Sequence, residues 1–455
     1  MNVRAVVKRM VPIGFFDRLV PEWHRAEAMF WNARYGFPAR DLKVIGVTGT
    51  NGKTTTTFLI HRMLCESGYN VGLMSTVGYG VGKHIEPQIQ HMTNVGPKEL
   101  MLRLRAMKRQ GMEWLVLETT SHALAQHRTW GVPYSIAVIT NITHEHLDYH
   151  KTFERYKEAK RQLFVLAQRN ARGRRLGVVN ADDLESVGFG QTTENSVSYG
   201  VEAGDVRAVD IQLRPDGIEY TATAGTETYH ISSSLPGSFN VYNTLAAVCV
   251  GQALGLTRGQ VEEGIAALEG VEGRMTTVDE GQPYSVVVDF AHTPDSFEKL
   301  FIDLRPVVKG KLIVMFGSAG RRDEAKRAVQ GRLAGEYADE VIVTEEDDRD
   351  CDGQEIMNMI ASGAENAGKI RGTDLFLVHD RTEAIQFALS RAQHAEDTVV
   401  LLGKGHEKTI ERNGPRAVEL RHLQQDDSNP ERVRTDPWDE IATTKDSLRA
   451  RSENQ

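Results

Sequence analysis

The sequence predicts an α/β protein with a P-loop central unit, built on a mainly parallel sheet with an antiparallel insert, and a Rossmann-like C-terminal α/β unit. Three observations predict it. Short apolar runs alternate with helical stretches from Leu42 onward. A glycine-rich loop ending in Lys53-Thr54 separates the first such run from the first helix. A second strand–helix series begins after Gly273-Arg274.

The elements follow in order. Residues 1–43 hold eight Lys/Arg and four Asp/Glu, a local +4 in a chain of net −8. Phe15, Phe16, Leu19, Val20, Trp23, Met29, Phe30 and Trp31 give this segment a patchy amphipathic helical pattern. Two readings follow: a helical extension packed on the body, or attachment to a membrane surface or a lipid-linked substrate. Its start resembles a signal peptide, but Pro12 and Gly14 break the run and no small-residue cleavage site follows, so the segment reads as retained. A buried strand is predicted over 43–47 and a helix over 54–67. Strands over 71–75 and 114–118 flank a helix over 97–110, and further apolar runs lie at 136–140 and 177–180. Segments 206–213, 218–224 and 228–232, around Pro215-Asp216-Gly217, read as an antiparallel hairpin insert. Helices return over 240–254 and 258–268. Strands over 285–290, 311–316, 340–344, 374–378 and 398–402 then alternate with helices. The polar chain after Gly414 reads as part irregular, with a last helix near 438–448. The expected organisation is an N-terminal segment 1–43, a central unit 44–274, a C-terminal unit 275–445 and a polar tail 446–455.

Composition narrows the class. Apolar residues are 40% and charged residues 25%, which is ordinary for a globular protein and unlike a collagen, coiled-coil or wholly disordered chain. The mildly acidic balance argues against a general nucleic-acid binder. No apolar run approaches the ~20 residues of a membrane span. Cys65, Cys249 and Cys351 lie far apart, which suits a reducing cytoplasm and gives neither a disulfide framework nor a four-Cys zinc site.

The loop Gly46-Val47-Thr48-Gly49-Thr50-Asn51-Gly52-Lys53-Thr54-Thr55 carries the first chemistry. Glycines let backbone N–H groups curl around phosphate oxygens, the lysine neutralises their charge, and the hydroxyl after it suits Mg²⁺. The first glycine lies one residue earlier than the strict P-loop spacing. Nucleoside triphosphate binding is the reading that these residue types support. Further on, His144-Glu145-His146-Leu147-Asp148-Tyr149-His150 packs three histidines and two acids into seven residues. Alone, such a cluster suggests a transition metal or a solvated polar loop; beside a phosphate loop, Mg²⁺ fits better.

The loop resembles the ATP loop of the Mur ligases, which extend the peptide of cell-wall precursors. Thr54 directly after Lys53 fits them better than folylpolyglutamate synthetase, whose loop usually reads Gly-Lys-Gly-Ser. The resemblance runs from about Lys43 to Glu407, through Glu118-Thr119-Thr120-Ser121-His122, Asn141 to His150, Gly237-x-Phe239-Asn240-x-x-Asn243, Asp289 to Asp295, and Gly403-Lys404-Gly405-His406-Glu407. It is nearest to the branch that adds the third residue, diaminopimelate or lysine. It implies an ATP- and Mg²⁺-dependent carboxylate–amine ligase that works through an acyl phosphate. It further implies that Gly49 to Thr55 cradle ATP, with Lys53 on the phosphates, that Thr54 and Glu118 hold one Mg²⁺, and that His146 helps to hold a second. Lys160, in Tyr156-x-x-Ala159-Lys160, matches the lysine that this family carbamylates into N6-carboxylysine; without the resemblance it reads as a surface helix lysine beside Glu158.

For the nucleotide, Asn240 and Asn243 share one helix face and offer amides to adenine, while Asn240 equally suits an N-cap. Arg274 resembles the family's hinge arginine, and His292 is expected to face the nucleotide. Thr93, Asn94, Ser121 and Arg128 match positions that hold the peptide-bearing acceptor. Arg322, Gly403 and Glu407 match positions for the incoming amino acid, as does the tetrad Glu346-Asp347-Asp348-Arg349, where diaminopimelate enzymes usually read Asp-Asn-Pro-Arg. Three readings of the tetrad stand: Asp347 repels a distal carboxylate, or satisfies Arg349 internally, or the run 345–352 is a solvated acidic loop. Rival functions are a Mur-like ATPase subunit that activates a lipid-linked peptide for amidation, and a non-catalytic binding protein on the same scaffold. Members of the family carry a uridine-binding domain before the ATP loop, and 43 residues precede Val44 here, so uridine is expected to contribute less to acceptor binding.

Overall fold

The computed structural model describes residues 13–88, 92–214, 216–420 and 429–453. Residues 1–12 of the N-terminal segment, Pro215 of the expected turn, 421–428 of the polar stretch and the end of the tail at 454–455 lie outside the described residues.

Eleven strands form the larger sheet. From one edge to the other they are Glu227–Ser233, Gly217–Ala224, Val206–Arg214, Asn195–Gly200, Leu176–Asn180, Tyr134–Ile139, Lys43–Thr48, Trp114–Glu118, Val71–Met74, Gly78–Val81 and His84–Pro87. The seven strands from Val206–Arg214 to Val71–Met74 run parallel. Antiparallel pairs extend both edges. Parallel strands bury both faces, which is why their sequences read as apolar runs rather than alternations. Ile45 and Val47 of Lys43–Thr48 join one core with Leu59, Ile60 and Met63 of helix Lys53–Glu66 and with helix Ser238–Leu254. Val44 joins the opposite core with Leu100 and Leu104 of Pro97–Arg109 and Leu163 of Phe153–Arg169.

The smaller sheet is ordered Thr276–Thr277, Ser285–Asp289, Thr398–Leu402, Leu312–Phe316, Glu340–Val343 and Leu375–Leu377, parallel except for the short first strand. Helices cover both faces and give two further cores.

The expected antiparallel insert is present, with Gly217–Ala224 paired antiparallel to Val206–Arg214 and Glu227–Ser233, and it joins the main sheet through the parallel pair Val206–Arg214 and Asn195–Gly200. Other expectations shift. The hairpin Gly78–Val81/His84–Pro87 and the pair Thr409–Asn413/Val433–Pro437 are additional. Both contain half-exposed polar residues and little apolar periodicity, so pairing rather than side-chain pattern defines them. Asn240 is not an N-cap, because the helix begins at Ser238 with Gly237 (φ 100°) before it. The last helix spans Glu440–Glu453 and starts after Trp438.

One buried ion pair ties the end of the chain to the smaller sheet. Arg381 and Glu440 are fully buried; Arg381 donates Nε and Nη2 to Glu440 at 2.9 and 2.6 Å, and also bonds the carbonyls of Glu345 and Leu402. Removing one partner strands a charge in low dielectric. Glu440→Gln is therefore expected to cost about 3 kcal/mol in urea denaturation, and the pair Arg381→Met with Glu440→Leu to recover most of it. A loss under about 1 kcal/mol for the single change would show that the pair does not hold the fold.

Candidate active site

The site forms where strand register delivers it. Lys43–Thr48 lies between Trp114–Glu118 and Tyr134–Ile139, with Val47 opposite Glu118 and Thr48 opposite Ile139. The C-terminal ends of three parallel strands thus bring the glycine loop, Glu118 and the run from Thr140 to His146 together, at the edge where α/β sheets place ligands. The loop is fastened to that neighbour. Thr50 N–H donates to the Asn141 carbonyl at 2.8 Å, Asn51 N–H to Asn141 Oδ1 at 2.9 Å, and Thr140 Oγ1 to the Asn51 carbonyl at 2.6 Å. Gly52 is left-handed (φ 82°), and a Cβ there would lie 2.3 Å from Asn243 Oδ1. Lys53 Nζ donates to the Thr50 carbonyl at 2.7 Å, and Thr55 is buried in the same helical turn.

Two oxygen-rich clusters adjoin the loop. In the first, Thr54 Oγ1 donates to Glu118 Oε1 at 3.2 Å, Thr76 donates its N–H and Oγ1 to the same carboxylate at 3.0 Å each, and Arg274 Nη2 donates to Thr54 Oγ1 at 3.1 Å. A hydroxyl and a carboxylate this close are hard ligands that suit Mg²⁺. In the second, Glu145 lies 3.6 Å from His146 Nε2 and 3.4 Å from His292 Nε2, and Tyr156 bridges Thr50 Oγ1 at 2.9 Å and Glu145 at 3.5 Å. Burial alone would raise the Glu145 carboxyl, but His146, His292 and Lys53 outweigh it and hold it well below the usual carboxylate range. Lys160 is buried, with Nζ over the Tyr156 ring and donating to the Gly49 carbonyl. Burial, reinforced by the Lys53 charge, pushes its ammonium well below the ordinary lysine range. It is not a surface helix lysine. His146, itself left-handed (φ 56°), packs against His122, which burial and then His146, His150, Arg128 and Arg322 push down to about 2. His150 bonds Ser121 Oγ at 3.0 Å.

The two asparagines stand behind the loop. Asn243 Nδ2 donates to Asn240 Oδ1 at 2.8 Å, Asn243 Oδ1 accepts from Thr56 at 3.2 Å, and Asn240 Nδ2 donates to the Pro236 carbonyl at 2.7 Å. On the acceptor side, Thr93 bonds Thr76 at 2.8 Å. Asn94 donates to the Glu118 carbonyl at 2.7 Å and accepts from Thr120 N–H at 2.9 Å, and Arg128 donates to the Asn94 carbonyl at 3.1 Å.

The smaller sheet faces this constellation. His292 reaches Glu145, Lys326 donates to the His292 carbonyl at 2.9 Å, and Asn51 Nδ2 meets Asp295 at 2.5 Å. Gly273 (φ 70°) is pressed on the turn after Thr398–Leu402, where a Cβ would fall 2.2 Å from His406 N. The run from Thr344 to Asp350 is buried throughout, so it is not a solvated acidic loop. Nor does Asp347 satisfy Arg349. Lys404 Nζ, fully buried, joins Asp347 at 3.0 Å and Glu407 at 2.6 Å, and those two carboxylates hold it protonated against the cost of burial. Arg349 donates Nε to Glu411 at 2.7 Å and Nη1 to the Gly320 carbonyl at 2.6 Å. Glu346 backs Gly403, where a Cβ would meet its carboxylate at 2.4 Å, and the charge of Arg322 acts on both His122 and Lys326. Thr76, Tyr156, Lys404 and Glu411 are members that residue patterns alone left without a role. Tyr156 had a signal, four residues before Lys160 on one helix face; Thr76 and Glu411 had none.

Comparison with known proteins shows the family. The Mur ligase middle domain family matches residues 47–251, and the Mur ligase, glutamate ligase domain family matches 273–405. A UDP-N-acetylmuramyl-tripeptide synthetase of Roseiflexus is 42% identical over 406 residues, covering 86% of this chain and 79% of the relative. The chain belongs to the Mur ligase family. A UDP-N-acetylmuramoyl-L-alanyl-D-glutamate–2,6-diaminopimelate ligase of Geobacillus thermodenitrificans is 38% identical over 411 residues, 89% of this chain and 82% of that one. Among solved structures, another diaminopimelate ligase aligns at TM-score 0.60 and 27% identity, over 96% of this chain and 84% of its own. A folylpolyglutamate synthase of Mycobacterium tuberculosis aligns at TM-score 0.69 and 16% identity, over 88% of this chain and 95% of its own, a likeness of fold alone. Mur ligases are ATP-dependent enzymes that use Mg²⁺, and the Thr54–Glu118 pair beside the loop fits both.

Lys53→Ala is expected to lower ATP-dependent turnover about 1000-fold, because the lysine's attraction grows as charge shifts on the phosphates. Near-normal phosphate release by a folded Lys53→Ala protein would overturn the assignment of the loop.

Proposed function

We propose that this Mur ligase joins a diamino acid to the free carboxylate of a UDP-muramyl peptide. The observation that supports the reading is the pair of contacts Arg274–Thr54 and His292–Glu145, which join the smaller-sheet unit to the phosphate-loop side of the larger one. Residues 44–274 would bind nucleotide and acceptor, and 275–445 the amino acid. The names of the relatives supply the substrate class.

The reaction needs no nucleophilic side chain. A peptide carboxylate attacks the γ-phosphorus, the bond to ADP breaks, and an acyl phosphate forms; the amine then adds to the carbonyl carbon and phosphate leaves. Both steps gather anions, so the work falls on neutralisation and alignment. Lys53 would meet the phosphates, and Arg128 and Ser121 the acceptor. Bound Mg²⁺, held by Thr54 and Glu118 and by His146 with a modified Lys160, would supply further positive charge. Glu145 keeps His146 and His292 in place, and the contacts across the cleft exclude water from the acyl phosphate.

Lys160 is suited to carbamylation. Its amine is buried and driven toward the neutral form, which can add to carbon dioxide with loss of a proton and become an anion. Lys160→Ala should lose most activity and regain part of it with a small added carboxylate. Full activity without rescue would remove Lys160 from the mechanism.

The choice of amino acid turns on Arg349. Glu411 already matches its charge, while Asp347 and Glu407 both pair with Lys404. This balance supports a distal ammonium over an isolated distal carboxylate as the feature selected. Glu411→Gln should therefore raise kcat/KM for diaminopimelate relative to lysine by about tenfold. An unchanged ratio would mean that Arg349 does not face the amino acid.

A further inference from the structure

We propose that Glu345, Asp348 and His379 form a binding site for a divalent transition-metal ion, separate from the Thr54–Glu118 pair beside the phosphate loop. The three residues meet because their strands are parallel neighbours in the smaller sheet: Glu345 and Asp348 follow Glu340–Val343, and His379 follows Leu375–Leu377. Each offers one ligand atom, and these atoms lie within 4.8 Å of one another. Tetrahedral zinc holds its ligands about 2.0–2.1 Å from the metal, and so roughly 3.4 Å apart, a separation that small side-chain rotations reach from here. The frame is already fixed. Glu345 N–H and Thr344 Oγ1 both donate to the His379 carbonyl, at 3.1 and 3.0 Å, which fastens the two segments together at the cluster. Gly353 packs on it from a third segment, where a Cβ would fall 2.2 Å from Asp348 Oδ2 and 2.3 Å from His379 Nε2.

What singles this cluster out is the Asp348 carboxylate, which is 2% exposed. Its Oδ2 meets His379 Nε2 at 3.0 Å, while Oδ1 is buried and has no partner of hydrogen-bonding geometry among the described residues. A buried carboxylate oxygen without a donor is costly, and a cation would satisfy it. The neighbouring cations are engaged elsewhere. Arg412 forks onto Glu345 at 2.8 and 2.5 Å and also meets Asp436, which Arg434 bonds as well. Those two guanidinium groups balance those two acids, and Glu440 balances Arg381. The charge of Asp348 is left over, facing His379. Glu345 keeps room for a metal: of its roughly four acceptor sites, Arg412 and the Arg381 N–H take three, which leaves one on Oε2 and holds the group in one orientation. An imidazole nitrogen with two carboxylate oxygens suits Zn²⁺ or Co²⁺ better than Mg²⁺, which prefers oxygen alone. The His379 side chain is 55% exposed, so an ion and its remaining water ligands enter from that side. Asp348 stands between Asp347 and Arg349, so the ion would brace the run that carries both.

The test is equilibrium dialysis of the metal-free full chain against Co²⁺ in excess Mg²⁺, which fills sites built from oxygen alone. The parent should bind a Co²⁺ ion that Zn²⁺ displaces and Mg²⁺ does not, with a visible absorption band. His379→Ala and, separately, Asp348→Asn should each hold that ion at least about tenfold more weakly and lose the band. His379 is exposed, so His379→Ala decides the matter should Asp348→Asn fail to fold. His146→Ala, which alters the histidine cluster beside the phosphate loop, should leave this ion in place. No Co²⁺ bound by the parent in excess Mg²⁺, equal binding by His379→Ala, or loss of the ion in His146→Ala instead would overturn the proposal and leave Asp348 and His379 as an ion pair alone. The readout is metal binding and not turnover, so it stands whichever amino acid the enzyme joins.

Discussion

The carboxylate of Glu118 is the constraint on which the rest of the site depends. It is a buried anion, 1% exposed, at the end of a strand flanked on both sides by parallel neighbours. Burying such a group without partners would cost several kcal/mol. Thr54 approaches from the first turn of the loop helix, Thr76 from the turn after Val71–Met74, and Asn94 reaches the backbone carbonyl of the same residue. Arg274 comes from the chain that leads to the smaller sheet and bonds Thr54. Four segments far apart in sequence are therefore oriented by one charge and its carbonyl. A metal ion that joined Thr54 and Glu118 would enter a position whose geometry is already fixed.

How legible this was depended on range. The loop 46–55 is local in sequence, and its chemistry needs consecutive residues, so it could be read directly. The parallel strands were legible because burial on both faces leaves apolar runs such as Val286–Val287–Val288. The edge hairpin around Gly82 was not, because His84 and Glu86 face solvent and only main-chain pairing defines the strand. Within the site, Glu118 and Lys160 entered through family resemblance. Lys160 would otherwise pass for an exposed lysine, since its sequence neighbour Glu158 suggests a surface pair, while its real partner, the Gly49 carbonyl, is more than a hundred residues away. Glu411 carries no sequence signal at all, because its role exists only once its strand lies against the 345–350 run.

Beside its two apolar cores, the smaller sheet carries a layer of buried charge. Lys404 bridges Asp347 and Glu407, Arg349 pairs with Glu411, Arg321 and Arg432 both meet Asp350, and Arg412 meets Glu345. Such a layer is not an efficient source of stability, since desolvation offsets much of the attraction. It does fix direction: each fork-shaped guanidinium holds a carboxylate in one orientation. On the proposed reading, in which this surface meets the charged far end of an amino acid, side chains that cannot reorient are an advantage.

The backbone contact at Gly273 has a mechanical consequence. There the chain linking the two sheets meets Gly405–His406 with less clearance than a methyl group needs. Main chain touches main chain there, so any residue with a Cβ at 273 would force the two stretches apart. The next residue is Arg274, whose bond to Thr54 joins the two sheets, so such a displacement would be passed on to that contact.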